Sequence, residues 1–385
     1  MRKVAGRWLV FLPSILLVTA AANGQKAAEE SDAFFKTPKV YNLELVLEKK
    51  EYEALQRAPR KYAKATLKEG DKILGRDIGV HLKGAAGSYR NLDDKPGLTL
   101  NMDKFVKEQR FNGMDKFHLS NSVQDPSYLS ELICGEIFRA AGVPASRISH
   151  ALVTINGKKK GLYYIKEGYD KYFLKRHFGT NDGNFYDGGF LKDLDQPLQL
   201  ISGKDDVKPQ TDLKALWEAA HEKNPKDRYE KMEKLLEIDK FISYLVLEVI
   251  TWDWDGYPMN RNNYRLYHDP KTNKITFIPS GMDQMFGDPR GPIIPNIQGF
   301  ISRALLETPQ GKEKYFAKMS EIMQKVFNTE ALLKRLDELE KVVQPALASI
   351  DANAGKDYKN QVNRLRDAVK VRPKNIEEQL SKMKK

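Results

Sequence analysis

WDWDGYPMNRNNYRLYHDPKTNKITFIPSGMDQMFGD, residues 252–288, carries the pattern around which the chain is organised. Two alternating apolar runs, Tyr264, Leu266, Tyr267 and Ile275, Phe277, Ile278, flank Asp269-Pro270. That pattern predicts a hairpin of two short strands. Asp253 and Asp255 precede the first strand, and Asn260 follows Asp255 after four intervening residues. Asp283 follows the second strand and stands four residues before Gly287. Closing the hairpin brings these two ends together. An acid, an amide and a second acid beside a glycine are what a phosphotransferase uses as base, amide ligand and metal carboxylate. Asp, Asn and Gly are also ordinary turn formers, so spacing alone leaves a plain turn-rich hairpin open.

Upstream, DKFISYLVLEVITW is apolar nearly all round and predicts a buried helix that feeds the acid-bearing loop. Two further helices precede it, in LKALWEAAHEK and RYEKMEKLLEI. Downstream, residues 289–299 are rich in Pro and Gly and read as a loop over the site. Helices follow near 310–327, 330–349 and 357–383, with Thr329 as the cap of the second.

The first part of the chain is strand-rich. Strands are predicted in 38–48, 62–67 and around Ile78, Val80 and Leu82, with a short charged helix over 48–57. After Leu82 the chain reads Lys83-Gly84-Ala85-Ala86-Gly87-Ser88. Small residues after a strand let backbone amides approach a phosphate. The loop is neither a Walker motif nor GxGxxG, and a plain hairpin turn fits it too. Lys95, just before another strand, could aim an ammonium at the same loop, and a solvated lysine fits it too. Residues 125–144 predict a helix capped by Asp125, with Leu129, Ile133, Ile137 and Phe138 on one stripe and Gly142 at its end. Glu131 and Glu136 on that helix face out or reach a lysine, and a solvated face is the simpler reading for both. Asn156-Gly157 between SHALVTI and GLYYIKE is a strong hairpin signal. Glu167 ends the second of those strands.

The composition is that of a soluble globular protein, 41% hydrophobic and 30% charged over 385 residues. A basic start, a short apolar run from Trp8 to Thr19 and Ala20-Ala21-Ala22 read as a secretory signal peptide, cut after Ala22. Its removal takes away Arg2, Lys3 and Arg7 from a net charge of +12. No membrane span is expected after that cut. Residues 23–37 are small and polar and read as a flexible linker. A single cysteine, Cys134, excludes a disulfide framework and reads as a buried structural thiol. The six histidines form no pair at zinc-site spacing. The positive charge suits acidic partners such as nucleotides, and no nucleic acid is expected.

Several motifs stand in a fixed order. They are Leu82-Lys83-Gly84 with Ser88; Lys95 before an alternating strand; Leu119 with Asn121, then Asp125 opening a helix that ends in Ala141-Gly142-Val143-Pro144; Asn156-Gly157, then Gly161-Leu162-Tyr163 and Glu167; Asp182-Gly183-Asn184 with Tyr186; Trp254-Asp255-Gly256-Tyr257 with Asn262-Asn263-Tyr264; and Asp283-Gln284 with Phe286-Gly287. The set resembles the spore-coat protein H (CotH) kinase family, from about residue 75 to residue 290. The resemblance implies an α+β fold of divergent protein-kinase-like, two-lobed type. A β-rich N-terminal lobe would span 38–167, and a mainly helical C-terminal lobe 168–385 with the 252–288 hairpin. It implies ATP, Mg²⁺ or Mn²⁺, and phosphoryl transfer to Ser/Thr hydroxyls of a protein substrate. Carried over by position, Asp255 is the catalytic acid, Asn260 or Asn262 the amide metal ligand, and Asp283 the metal carboxylate. Lys83, Ser88 and Lys95 fall at nucleotide-phosphate positions, and Glu167 at a nucleotide-site acid.

The sequence departs from the family at one telling position. Many members carry Asp-x-Asp before the Phe-Gly element, and the first of those acids is Gly281 here. Ala85-Ala86 also stand where polar residues are common. These departures, and the scarcity of ATP outside the cytoplasm, keep a second reading open. In it the chain is an inactive kinase-like binding or structural protein of the cell envelope or surface, or a surface adhesin. A secreted, periplasmic or envelope location fits either reading.

Overall fold

The computed structural model describes residues 14–203 and 210–383. The basic start of the expected signal peptide lies outside these residues. In chain order the elements are α1 (Ser14–Lys36), β1 (Val40–Val46), α2 (Lys49–Arg57), β2 (Ala63–Glu69), β3 (Lys72–Lys83), β4 (Gly97–Asn101), β5 (Lys116–Ser120), α3 (Ser130–Ala140), β6 (Ile148–Ile155) and β7 (Lys158–Glu167). Then come α4 (Lys171–Phe178), β8 (Asn184–Asp187), β9 (Gln199–Ser202), α5 (Thr211–Ala220), α6 (Pro225–Leu235), α7 (Ile238–Ile250), α8 (Tyr257–Asn260), β10 (Tyr264–Asp269) and β11 (Lys274–Pro279). Four helices follow: α9 (Phe300–Leu306), α10 (Pro309–Lys325), α11 (Thr329–Ala348) and α12 (Ala352–Met383). The fold is thus mixed α+β. Among the described residues no helix is long and apolar enough to cross a membrane.

Seven strands close a barrel in the order β1-β2-β3-β4-β5-β7-β6. All neighbours are antiparallel except β1 and β6, which run parallel with Val40 opposite His150. Side chains alternate across a strand, so one phase of each strand fills the interior. Leu43 and Leu45, Ile78 and Val80, Leu98 and Leu100, Phe117 and Leu119, and Tyr163 and Ile165 make that core. The other phase of β3, β4, β5 and β7 is polar and aligns in rows. His81 pairs with Thr99, Thr99 with His118, and His118 with Lys166; Lys83 pairs with Gly97, and Ser120 with Tyr164. A barrel with a polar outer face on adjacent strands offers one wall of a site.

The second core is built on α7, which is buried along nearly its whole length, as its all-round apolar sequence requires. It packs with α3, α10, α11 and α12 and the hairpin β10–β11. Arg372 of α12 is itself fully buried at the C-terminal end of α7. It donates to the carbonyls of Val249, Ile250 and Gly291 at 2.7, 3.0 and 2.6 Å. A cation bonded to the orphan carbonyls of a helix end fixes where the chain leaves it. What leaves it is the loop bearing Asp253 and Asp255.

Four expectations need correction. Residues 23–37 are not a linker but the end of α1. Ala27, Ser31 and Phe34 form a buried stripe, and Phe34 stacks on Tyr41 with ring centroids 4.7 Å apart. Two of the three are small, which is why the composition reads as polar and loose. Helix α3 begins at Ser130, five residues after Asp125. Asp125 instead accepts from the backbone N–H groups of Ser127 and Ser130 and from Tyr164 Oη, pinning the turn before the helix. The cap of α11 is Asn328, whose side chain accepts from Ala331 N, and Thr329 is the first helical residue. Residues 289–299 do not cover the cleft described below; residues 296–298 line a separate groove.

Candidate active site

A cleft of about 570 Å³ opens between the polar face of the barrel and the mouth of the hairpin. Lys83, Ser88, Asp255, Asn262 and Asp283, five of the residues singled out from sequence, line it. The hairpin explains the meeting of the last three. Tyr264 pairs with Pro279 at its open end, so the loops before β10 and after β11 emerge side by side. Ser280 N donates to Asn263 O at 2.9 Å and Phe286 N to Thr251 O at 2.7 Å, stitching those loops together.

Asp255 is held by three amides. Asn260 Nδ2 donates to one carboxylate oxygen at 2.6 Å, and Asn262 and Asn263 donate to the other at 3.0 and 2.9 Å. The fixed carboxylate keeps its orientation without a cation to neutralise it. Asn262 thereby points its amide nitrogen at Asp255 and turns its carbonyl oxygen away. Asn260 is different: it supports Asp255 from the turn α8 and does not line the cleft. Of the two amides carried over as metal ligands, only Asn262 lines the cleft.

Asp283 is pushed up to about 7 by burial and by the nearby acids Glu131 and Asp125, against the pull of Lys166. A carboxyl crowded by other acids in a dry site gains most from a bound cation. Among the described residues no three His, Cys, Asp or Glu side chains converge to hold a metal by themselves. One carboxylate and one amide oxygen suit Mg²⁺, which takes few protein ligands and completes its shell with phosphate oxygens and water. The residues present therefore fit a nucleotide-borne metal better than a resident one.

On the barrel wall Lys83 Nζ donates to Ser120 Oγ at 2.9 Å. Burial and the neighbouring Lys166 lower its ammonium to about 8, with Glu131 and Asp283 opposing. The following loop is shaped by Gly84 and Gly87, both at positive φ, 103° and 84°. Ser88 Oγ accepts from Ala85 N at 3.2 Å, so the hydroxyl builds the loop.

The sequence reading missed the pair at the centre of this wall. Lys166 and Glu131 form a buried ion pair, each side chain only 5% exposed. Burial disfavours the Lys166 ammonium, but Glu131 outweighs it and the pKa is raised. Glu131 is therefore not solvated. The signal was present: Lys166 is the one cation in the run Leu162-Tyr163-Tyr164-Ile165-Lys166, and Glu131 shares a helix face with Cys134 and Phe138. Arg265 and Asp187 also line the cleft without having been singled out.

Two other assignments fail on strand phase and packing. Glu167 follows Lys166, so it takes the opposite phase, that of Tyr163 and Ile165, and leaves the cleft. It lies between Arg147 and Arg176, each with a nitrogen at 2.7 Å. Burial alone would raise it, but the two arginines hold it at about 2. Lys95 also misses the cleft. Its ammonium donates to Tyr128 Oη at 2.7 Å and lies over the rings of Tyr128 and Tyr163. Burial lowers it to about 8.

A family model described as CotH kinase protein matches residues 80–376, well over half of the chain and all of the cleft residues from His81 onward. The chain belongs to the CotH kinase family. Inner spore coat protein H of Bacillus subtilis is 24% identical over 269 residues, covering 63% of this chain and 71% of that protein. Invasins CotH2 and CotH3 of Rhizopus delemar are each 24% identical over 70% of this chain. The chain spans 50% and 49% of their lengths, about half of each. A Helicobacter pylori proinflammatory kinase, CtkA, aligns over 73% of this chain and 94% of its own, at 9% identity and a TM-score of 0.32. Likeness at that level bears on neither fold nor activity. CotH membership rests on the family match, and the cleft is where its residues meet.

Proposed function

We propose that this CotH-family chain is an exported, divergent two-lobed protein kinase that transfers the ATP γ-phosphoryl group to Ser/Thr hydroxyls with Mg²⁺ or Mn²⁺. The observation that carries the reading is the gathering of Asp255, Asn262 and Asp283 on one wall of a cleft and Lys83 and Lys166 on the other. Phosphoryl transfer is catalysed by positioning and charge neutralisation more than by covalent chemistry. Asp255, pinned by three amides, takes the proton of the acceptor hydroxyl. Lys83 and Lys166 neutralise phosphate oxygens, and the Gly84–Ser88 loop offers backbone amides beside them. Asp283 and the Asn262 carbonyl would hold the divalent ion, which supplies further charge neutralisation when bound.

The rival reading, an inactive binding or structural protein of the envelope or surface, is favoured by Gly281. The names spore coat protein and invasin, given to relatives, suit a surface location under either reading. A thermal shift with ATP plus Mg²⁺ or Mn²⁺, repeated on Asp283→Asn, separates the two. Ligand at a hundredfold excess over Kd stabilises by about 2.7 kcal/mol. A metal-dependent shift lost in the variant supports the kinase. No shift with either metal overturns it in favour of the rival.

A further inference from the structure

Beneath the Asp255 loop lies a pair of acids with no base. Glu248, in the last turn of α7, is fully buried, and Asp253 is 1% exposed. Asp253 N donates to Glu248 O at 2.8 Å, which folds the chain back over the helix end. The two carboxyl groups then face one another. Gly256 packs directly on them: a Cβ there would lie 1.9 Å from Glu248 Oε2 and 3.1 Å from Asp253 Cγ. Among the described residues, both oxygens of Glu248 and Oδ2 of Asp253 make no hydrogen bond of ordinary geometry, and the Tyr244 hydroxyl lies against Glu248.

Among the described residues no cation faces the pair. Tyr244 faces the pair from α7 and the Cys134 thiol from α3, while Asp255 and Asp283 add negative charge from the two loops. Arg372 at the same helix end is committed to carbonyl oxygens. Two ionised carboxylates in such a place lack a cation and have only the Tyr244 hydroxyl and the Asp255 amide to lean on, a costly state. One proton between them removes a charge and supplies a donor from one carboxyl to the other.

We propose that Glu248 and Asp253 share one proton, and that this proton holds residues 252–256 down on α7 so that Asp255 faces the cleft. Loss of the proton to solvent at alkaline pH leaves two charges in dry space and releases the loop. Glu248 and Asp253 are positioning residues, since neither lines the cleft. The consequence for catalysis rests on the reading of Asp255 as the base. The loop transition does not.

Burial raises Glu248, with Asp253 adding to the rise. The folded chain then holds more protons than the unfolded one above the ordinary carboxyl range, so stability falls as pH rises. The test uses the whole chain without nucleotide. With ¹³C-carboxyl-labelled glutamate, wild type should show one glutamate still protonated at pH 7 that ionises at alkaline pH. Fluorescence of Trp252 and Trp254, which flank Asp253, should change over the same range. Glu248→Gln, which keeps a donor and cannot ionise, should lose that fluorescence transition and flatten the alkaline fall in Tm. Asp253→Asn should do the same. Fully ionised glutamates at pH 7 in wild type, or an unaltered transition in a folded variant, would overturn the proposal. The wild-type spectrum decides even if both variants fail to fold.

Discussion

Lys166 and Glu131 meet in a buried ion pair that ties the barrel strand β7 to helix α3 on the floor of the cleft. Replacing Lys166 with Met leaves Glu131 uncompensated beside Asp283. Breaking a buried pair in this way costs on the order of 3–5 kcal/mol, whereas replacing both partners by apolar groups is close to neutral. Urea melts should therefore show a large loss for Lys166→Met and recovery in Lys166→Met/Glu131→Met. The double variant should still fail to give the ATP-dependent thermal shift of wild type, because the phosphate-facing cation is gone.

Asp255→Asn should separate binding from transfer. The three amides around Asp255 would face another amide, and no carboxylate would remain to take a proton. General-base contributions are typically about 10²–10⁴-fold. The expected result is an ATP–metal thermal shift close to wild type with transfer to a protein acceptor reduced by about a hundredfold or more. Rates within a few fold of wild type would remove Asp255 from the role of base.

Gly281 stands where many family members have an acid, and restoring that acid should harm the protein. The backbone there has φ 68°, a left-handed value. A Cβ would lie 2.6 Å from Asn263 Oδ1, on one of the amides that holds Asp255. Gly281→Asp should lose about 1–3 kcal/mol from backbone strain. Nucleotide-dependent signals should fall with it, and Gly281→Ala should show the same sign. A gain of activity in Gly281→Asp would mean that the missing acid limits this chain.

Glu167 sets an acid limit. Its folded value, about 2, lies below the ordinary glutamate range because Arg176 and Arg147 overcome the effect of burial. A depressed carboxylate adds stability above its unfolded pKa and loses it as pH falls through the folded value. Glu167→Gln should cost about 3 kcal/mol at neutral pH. The gap to wild type should close between about pH 4.5 and pH 2. Denaturant melts across that range check it.

The local rules that act over a few residues were readable. The hairpins at Asn156-Gly157 and Asp269-Pro270 and the buried α7 follow from neighbouring residues alone. The cleft was half readable for the same reason. Asp255, Asn262 and Asp283 are brought together by one hairpin, a local event. Lys166 needed the phase of β7, and that phase depends on which face of a barrel is solvent. Reading Glu167 as the cleft residue was an error of one position, which on a strand reverses the side chain. Lys95 was misplaced because Tyr128 and Tyr163, far from it in sequence, draw its ammonium under the barrel wall.

The parallel pairing of β1 with β6 also governs the order in which the chain can acquire its shape. Val40 cannot meet His150 until everything between them has emerged. A nascent chain that appears N-terminus first therefore carries Leu43 and Leu45 on an incomplete sheet while α3 and the rest of the barrel are still being made. Closing so long a loop is slow, and the unpaired edge is adhesive meanwhile. The barrel stays open until β7 has been made, because β7 is the strand that joins β5 to β6 and so to β1.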